Sequence, residues 1–325
     1  MKDSYGRDIN YLRISITDRC NLRCVYCMPE EGVAPISHTE ILSYEEILRL
    51  VGIFSTLGIK HIRLTGGEPL VRKGVENLIS DIKKIPGIET VSITTNGILI
   101  PEKIEALLAA GLDAVNISLD TLNPKRFENI TRREGFEKVI EAIKLCEGSG
   151  IKTKVNCVAM KGVNEDELAS IAGLAEDLNI AVRFIEYMPV GKNDFEKCVR
   201  KEDILKSLTS VYGPLYKLDK NFGNGPADYY KPEGFVGVIG IISAMTCSFC
   251  ENCNRIRLTA EGFLKLCLQY DKGITLRDMM RDGATDEELA QEIEKAVKDK
   301  PKQHIFNDYQ KHEGIEEKNM SRIGG

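Results

Sequence analysis

Cys20, Cys24 and Cys27 stand in the stretch Asp18-Arg19-Cys20-Asn21-Leu22-Arg23-Cys24-Val25-Tyr26-Cys27, just past a short apolar run. The spacing C-x3-C-x2-C lets three thiolates converge on one metal centre without closing it. Iron–sulfur clusters are held by Cys thiolates, normally four, so three leave one iron open to a ligand that is not protein. A zinc knuckle, or three unrelated core cysteines, are the plainer readings. Structural zinc takes four ligands, and no nearby His or Cys supplies the fourth. A second group lies far along the chain in Cys247-Ser248-Phe249-Cys250-Glu251-Asn252-Cys253-Asn254-Arg255-Ile256-Arg257-Leu258, followed by Cys267. Cys157 and Cys198 look incidental, and Cys146 falls on the apolar stripe of a helix.

The elements that must position these residues alternate from Tyr11 to Met188. Strands are expected at about 11–17, 60–65, 90–96, 113–120, 151–159 and 180–187. Between them run helical patterns. Ser43 and Glu46 form a capping box before Ile47, Leu50, Val51, Phe54 and Leu57. Phe136, Val139, Ile140, Ile143 and Cys146 make a second stripe, and Asn164 with Glu167 opens a third helix. Six β-then-α units in series imply parallel strands with helices outside. After Tyr187-Met188-Pro189-Val190-Gly191 the repeat stops. A Gly/Asn/Pro loop, Asn221-Phe222-Gly223-Asn224-Gly225-Pro226, suggests a boundary near residue 219, with a first domain over 1–219 and a second over 220–325. Residues 234–242 read as a strand, 286–300 as a helix, and the charged end from about Pro301 as a mobile tail closing on Gly324-Gly325.

Period-two alternation gives the strands one apolar and one polar face. Leu12, Ile14 and Ile16 alternate with Arg13, Ser15 and Thr17, and the next three strands repeat the pattern. The apolar face must meet the helices, so the polar face points into whatever the sheet encloses. A packed barrel interior is filled by Val, Ile and Leu; this one implies a solvated cavity or a polar ligand. Arg13, Arg63, Lys154 and Arg183 would share that lumen. Buried cations need partners, and phosphate is the obvious anion.

The chain has 325 residues, 42% hydrophobic and 29% charged, with a net charge of −5. Such a charge argues against non-specific nucleic-acid binding. The N-terminus lacks an apolar signal-like stretch and no run is long enough to span a bilayer, so a soluble, cytoplasmic protein without a membrane partner is expected. Ten cysteines without a secretory signal point to metal rather than disulfides.

The first cysteine motif resembles that of the radical S-adenosylmethionine (SAM) superfamily, as does Tyr26 directly before the third cysteine. The glycine-rich turn Thr65-Gly66-Gly67-Glu68-Pro69 looks like the superfamily's site for the amino group of SAM, and Asn116-Ile117-Ser118-Leu119-Asp120 like its ribose and carboxylate contacts. The resemblance implies an incomplete (β/α)6 TIM-type barrel and a C-terminal domain with a second cluster. It also implies a 4Fe–4S cluster whose open iron chelates SAM, and a 5′-deoxyadenosyl radical that abstracts hydrogen from the substrate.

The second cysteine group is similar to that of the GTP 3′,8-cyclases, the first enzymes of molybdenum cofactor biosynthesis. The similarity includes Cys253-Asn254-Arg255-Ile256-Arg257-Leu258-Thr259, Lys265-Leu266-Cys267-Leu268 and the terminal Gly-Gly pair. In that family the radical takes the ribose 3′ hydrogen of GTP, and the carbon bonds to guanine carbon 8, giving 3′,8-cyclo-7,8-dihydro-GTP. The resemblance implies metal ligation by Cys20, Cys24 and Cys27, and by Cys250, Cys253 and Cys267 for a second 4Fe–4S cluster. SAM contacts would come from Tyr26, Gly66, Gly67, Glu68, Ser118 and Met188. GTP contacts would come from Arg13, Arg63, Thr94, Lys154, Arg183 and the Arg255-Ile256-Arg257 turn. Arg255, Arg257, Gly324 and Gly325 would assist catalysis.

Implied partners are a low-potential electron donor of flavodoxin or ferredoxin type and a downstream cyclic pyranopterin monophosphate synthase; a homodimer is left open. Two departures stand out. His61 replaces the Lys or Arg expected near phosphate, and Cys247 is an extra cysteine that could turn the second site into a closed four-thiolate centre. A radical SAM peptide or protein modifier is the alternative enzyme. An electron carrier or zinc-stabilised module is the alternative that is not an enzyme.

Overall fold

Alternation along the first strand sets the architecture. In β1 (Tyr11–Ser15), Leu12 and Ile14 are fully buried on one face while Arg13 lies on the other. The computed structural model describes residues 1–190, 195–219, 222–246, 249–306 and 314–324. Gly191, Asn221, Cys247 and Gly325 lie outside the described residues.

β1 is followed in the sheet by β2 (His61–Thr65), β3 (Thr90–Thr95), β4 (Ala114–Ser118), β5 (Lys152–Ala159) and β6 (Ala181–Glu186), all parallel. Their apolar face packs on α1 (Tyr44–Thr56), α2 (Val75–Lys83), α3 (Ile100–Ala109), α4 (Pro124–Thr131) and α5 (Phe136–Gly148). The short α6 (Leu168–Ala172) and α7 (Leu174–Asp177), and then α8 (Lys201–Tyr212), complete that layer. The Ser43–Glu46 capping box forms as expected, with Ser43 N donating to Glu46 Oε2 at 2.7 Å and Glu46 N to Ser43 Oγ at 3.1 Å.

The C-terminal part adds to this sheet at both sides. After β7 (Leu215–Leu218) and β8 (Asp228–Pro232), β9 (Val238–Ile242) pairs parallel with β6. β10 (Arg255–Leu258) pairs parallel with β1 and carries the antiparallel β11 (Phe263–Lys265) and β12 (Gly273–Thr275). The order β12-β11-β10-β1-β2-β3-β4-β5-β6-β9-β8-β7 is an open, incomplete barrel. The sheet runs across residue 219, since β7 and β8 on either side of it pair with each other. The helices α9 (Leu276–Arg281) and α10 (Asp286–Lys298) follow, and α11 (Met320–Ile323) lies at the end of the described chain.

Three expectations are corrected. Arg255–Arg257 is a strand, not a turn, because it completes the parallel edge beside β1. Asn164 stands at the N-cap position of a 3-10 turn at Glu165–Glu167, just before α6, but its side chain makes no capping bond. Its side chain is buried, donating to the carbonyls of Asp120 at 2.8 Å and Val158 at 2.9 Å and accepting from Met160 N at 2.8 Å. The described part of the tail is packed: Glu316, Ser321 and Ile323 are buried. The physical reason is Lys265, fully buried on β11, whose ammonium meets the Glu316 carboxylate at 2.5 Å. A buried cation needs such a counter-charge, and the tail supplies it.

Candidate active site

The cysteine loop is built by backbone approach. Gly67 N donates to Thr17 O at 2.8 Å and Glu68 N to Arg19 O at 2.7 Å. A Cβ on Gly66 would stand 2.4 Å from Thr17 O, and one on Gly67 2.3 Å from Arg19 O. The sequence suggests that these glycines admit a ligand; the structure shows that they first admit the segment leading into Cys20. Within the loop, Cys27 N donates to Cys24 O at 2.9 Å and Arg23 Nη1 to Cys20 O at 2.7 Å. The turn brings Cys20, Cys24 and Cys27 to one end of a cavity inside the sheet. Burial raises all three thiols, Cys20 to about 11, Cys27 to about 12 and Cys24 well above the ordinary value, and neighbouring thiols add to the rise at Cys24 and Cys27. Three partly buried thiols lining one cavity, with no disulfide, fit a cluster that accepts one thiolate per iron. Among the described residues no three His, Cys, Asp or Glu side chains gather closely enough to hold a single metal ion.

Beside the thiols, Tyr26 Oη donates to Asp120 Oδ2 at 2.7 Å, and Val158 N donates to Asp120 Oδ1 at 2.8 Å. Burial lifts the Asp120 carboxyl to about 6, partly offset by these two bonds. Gly66, Gly67, Ser118 and Met188 line the same part of the cavity. Glu68 does not. Its carboxylate is buried behind the wall, accepting from Leu70 N at 3.0 Å, Thr95 Oγ1 at 2.7 Å and Asn96 N at 2.7 Å. Burial raises it to about 7 despite those bonds. The glutamate thus ties the glycine turn to the end of β3 and is a correction to the expected SAM contact.

The polar strand face carries the cations. Arg257, Arg13 and Arg63 are direct neighbours in register across β10, β1 and β2, and all three line the cavity with Thr94. Burial, and then Arg257 and Arg63 beside it, lower the affinity of Arg13 for its proton. Burial also lowers Arg257, to about 10. Thr94 Oγ1 is buried without a hydrogen-bond partner. Arg183 is fixed by Asn156 Oδ1 at 2.9 and 2.6 Å and by Asn116 Oδ1 at 2.6 Å. Lys154 is buried just beneath, brought down to about 7 by burial and then by Arg183, Arg63 and Lys152. Ile256 is buried on the helix side of β10 and is a second correction, because strand alternation turns it away from the cavity. His61 sits at the start of β2, its Nδ1 3.0 Å from Thr90 Oγ1, outside the cavity lining.

The second cysteine group lies past this row. Cys250 is buried, Cys253 and Cys267 are partly buried, and Arg255 and Leu268 beside them line the cavity. Burial pushes the Cys253 thiol up, but Lys300 and Arg255 outweigh it and bring it down to about 7. Supports that sequence reasoning missed hold these loops. Arg7 Nη1 donates to Cys250 O at 2.9 Å, and the buried Lys300 donates to Arg255 O at 2.9 Å and Leu266 O at 2.5 Å. Lone basic residues so far from the motifs carry no pattern that could have found them. Gly324 reaches the arginine row: its carbonyl accepts from Arg257 Nη1 at 2.5 Å, and a Cβ there would stand 3.1 Å from Ser15 Cβ and 3.3 Å from Thr65 Cγ2.

Residues 14–175 match the family model of the radical SAM superfamily, and residues 180–306 match that of molybdenum cofactor synthesis C. The chain is 47% identical over its whole length to a full-length GTP 3′,8-cyclase of Clostridium perfringens, and 46% identical to that of Petrotoga mobilis, again across both chains. It is also 47% identical to bovine molybdenum cofactor biosynthesis protein 1, over 94% of this chain and 49% of that protein. The fold is similar to the crystal structure of Streptococcus suis SuiB bound to S-adenosylmethionine, with TM-score 0.60, 15% identity, and 87% and 67% of the two chains covered. The chain therefore belongs to the GTP 3′,8-cyclase family of the radical SAM superfamily.

Proposed function

We propose that this protein is a GTP 3′,8-cyclase, converting GTP to 3′,8-cyclo-7,8-dihydro-GTP. The observation that carries the reading is the row Arg257–Arg13–Arg63 on adjacent strands, facing a cavity whose other end holds three thiols. A radical SAM enzyme acting on an uncharged substrate has no use for three arginines side by side on a cavity wall, and an enzyme that binds a triphosphate does.

A 4Fe–4S cluster at Cys20, Cys24 and Cys27, when bound, supplies the one-electron reduction of SAM that yields the 5′-deoxyadenosyl radical. Tyr26, Gly66, Gly67, Ser118 and Met188 hold SAM beside it, with Asp120 fixing the Tyr26 hydroxyl. Arg13, Arg63, Lys154 and Arg183 bind the triphosphate and Thr94 Oγ1 gives its free hydrogen bond to the nucleotide. Cys250, Cys253 and Cys267 would hold a second 4Fe–4S cluster, which would bind or tune the guanine, while Arg255 and Arg257 orient the base and ribose. The Gly324–Gly325 pair assists the steps after substrate binding, with Gly324 held by Arg257. A flavodoxin- or ferredoxin-type donor supplies electrons, and a cyclic pyranopterin monophosphate synthase consumes the product.

Replacing Arg63 or Arg183 by Ala removes a charged contact and is expected to cost about 1.5–3 kcal/mol of GTP affinity. Equilibrium binding of GTP and guanosine to the anaerobic enzyme checks this. Loss for GTP alone supports the assignment; equal loss for both ligands would mean that the arginines serve the fold.

A further inference from the structure

The glycine-rich loop that reads as a domain boundary in the sequence has another place in the structure. Gly225 and Pro226 line the cavity at its cationic end. Gly223 has φ +139°, and a Cβ there would stand 2.3 Å from Lys154 Nζ. Only a residue without a side chain lets this backbone lie so close to the ammonium. A Cβ on Gly225 would lie 3.8 Å from Arg183 Nη1. Among the described residues, the peptide N–H groups of Gly223, Asn224 and Gly225 donate to no protein acceptor. Phe222 packs at a tilt of 54° against Tyr229 with ring centroids 4.9 Å apart, which holds the loop against β8.

We propose that Gly223–Pro226 is the phosphate-side wall of the substrate site, where backbone N–H groups join Lys154 and Arg183 around the terminal phosphates and so select nucleoside triphosphates over shorter ones. Consecutive peptide N–H groups in a glycine turn form an anion-binding concavity, and two cations already face this one. The inference rests on the GTP reading above and adds a specificity element from outside the barrel.

The test uses the full chain and measures equilibrium binding of GTP, GDP, GMP and guanosine. Gly225→Ala is the main variant: its backbone is not in the left-handed region and its methyl meets no atom closer than 3.8 Å, so folding is preserved while the phosphate space is filled. Gly223→Ala is the second, pressing on Lys154. Both are expected to weaken GTP by about tenfold, because the added methyl holds the phosphate away from the loop N–H groups or from Lys154 by enough to weaken one charge-assisted hydrogen bond. GDP should be weakened less, and GMP and guanosine should stay within about twofold. SAM binding and thermal melting serve as controls of the fold. Wild-type discrimination between GTP and guanosine with variants that bind all four ligands as the wild type does would overturn the wall alone. Equal weakening of all four would also overturn it. A wild type that binds GTP no better than guanosine would overturn the phosphate reading and the wall together.

Discussion

At the scale of single residues, Gly67 is the position where one methyl group does most damage. A Cβ there meets Arg19 O at 2.3 Å, Arg19 C at 2.6 Å and Asp18 O at 2.7 Å, all backbone atoms that cannot swing aside. Gly67→Ala is therefore expected to displace the loop carrying Cys20 while leaving Cys250, Cys253 and Cys267 untouched. Anaerobic reconstitution should yield about four irons per chain in place of about eight. Retention of all the iron would show that the loop tolerates the shift. Lys154 gives a pH dependence. It is brought down to about 7 by burial and neighbouring cations, so it is only partly charged in the free protein near neutrality. A bound triphosphate favours the charged form, so binding takes up a proton. GTP affinity should then fall as pH rises above 7, by at most about tenfold per unit. Calorimetry in buffers of different ionisation enthalpy reads the proton uptake. Lys154→Arg, which stays charged, should abolish both effects, and persistence of the slope would point to another group.

At the scale of elements, the buried pair Lys265–Glu316 joins β11 to the returning tail. Glu316 Oε1 also accepts from Lys318 N at 2.8 Å, and Glu316 N donates to Gln269 O at 2.7 Å. Glu316→Gln leaves the Lys265 charge buried and unpaired, a loss on the order of 3–5 kcal/mol, whereas Lys265→Met with Glu316→Leu should recover most of it. Urea denaturation measures both, and an unchanged midpoint in the single variant would contradict the latch. This element was not legible in advance. Lys265 is visible as part of a cysteine motif, but its partner lies in a polar stretch with no periodicity, so the tail reads as mobile. The inward face of β1 to β4 was legible, because period two sorts residues by face whatever the tertiary context. Glu68 and Ile256 were misplaced for related reasons. A glutamate beside a glycine turn has the same letters whether it faces a ligand or three protein donors, and Ile256 reads as part of a turn until β10 is known to be a strand.

At the scale of the whole molecule, the chain places two cysteine groups near one cationic cavity and brings Gly324 to Arg257 in its wall. Two parallel strands from the C-terminal half, β9 and β10, join opposite sides of the six-stranded core. That topology explains how Arg257 comes to stand beside Arg13, although about three-quarters of the chain separates them. The central claim is that the cavity couples SAM cleavage at one end to ring closure of GTP at the other. The most direct measurement is anaerobic single turnover of the fully reconstituted protein with SAM, GTP and a low-potential reductant. 5′-Deoxyadenosine and 3′,8-cyclo-7,8-dihydro-GTP should form in equal amounts, with hydrogen from the GTP ribose 3′ position carried into the 5′-deoxyadenosine. SAM cleavage indifferent to GTP, with GTP recovered unchanged, would contradict the account.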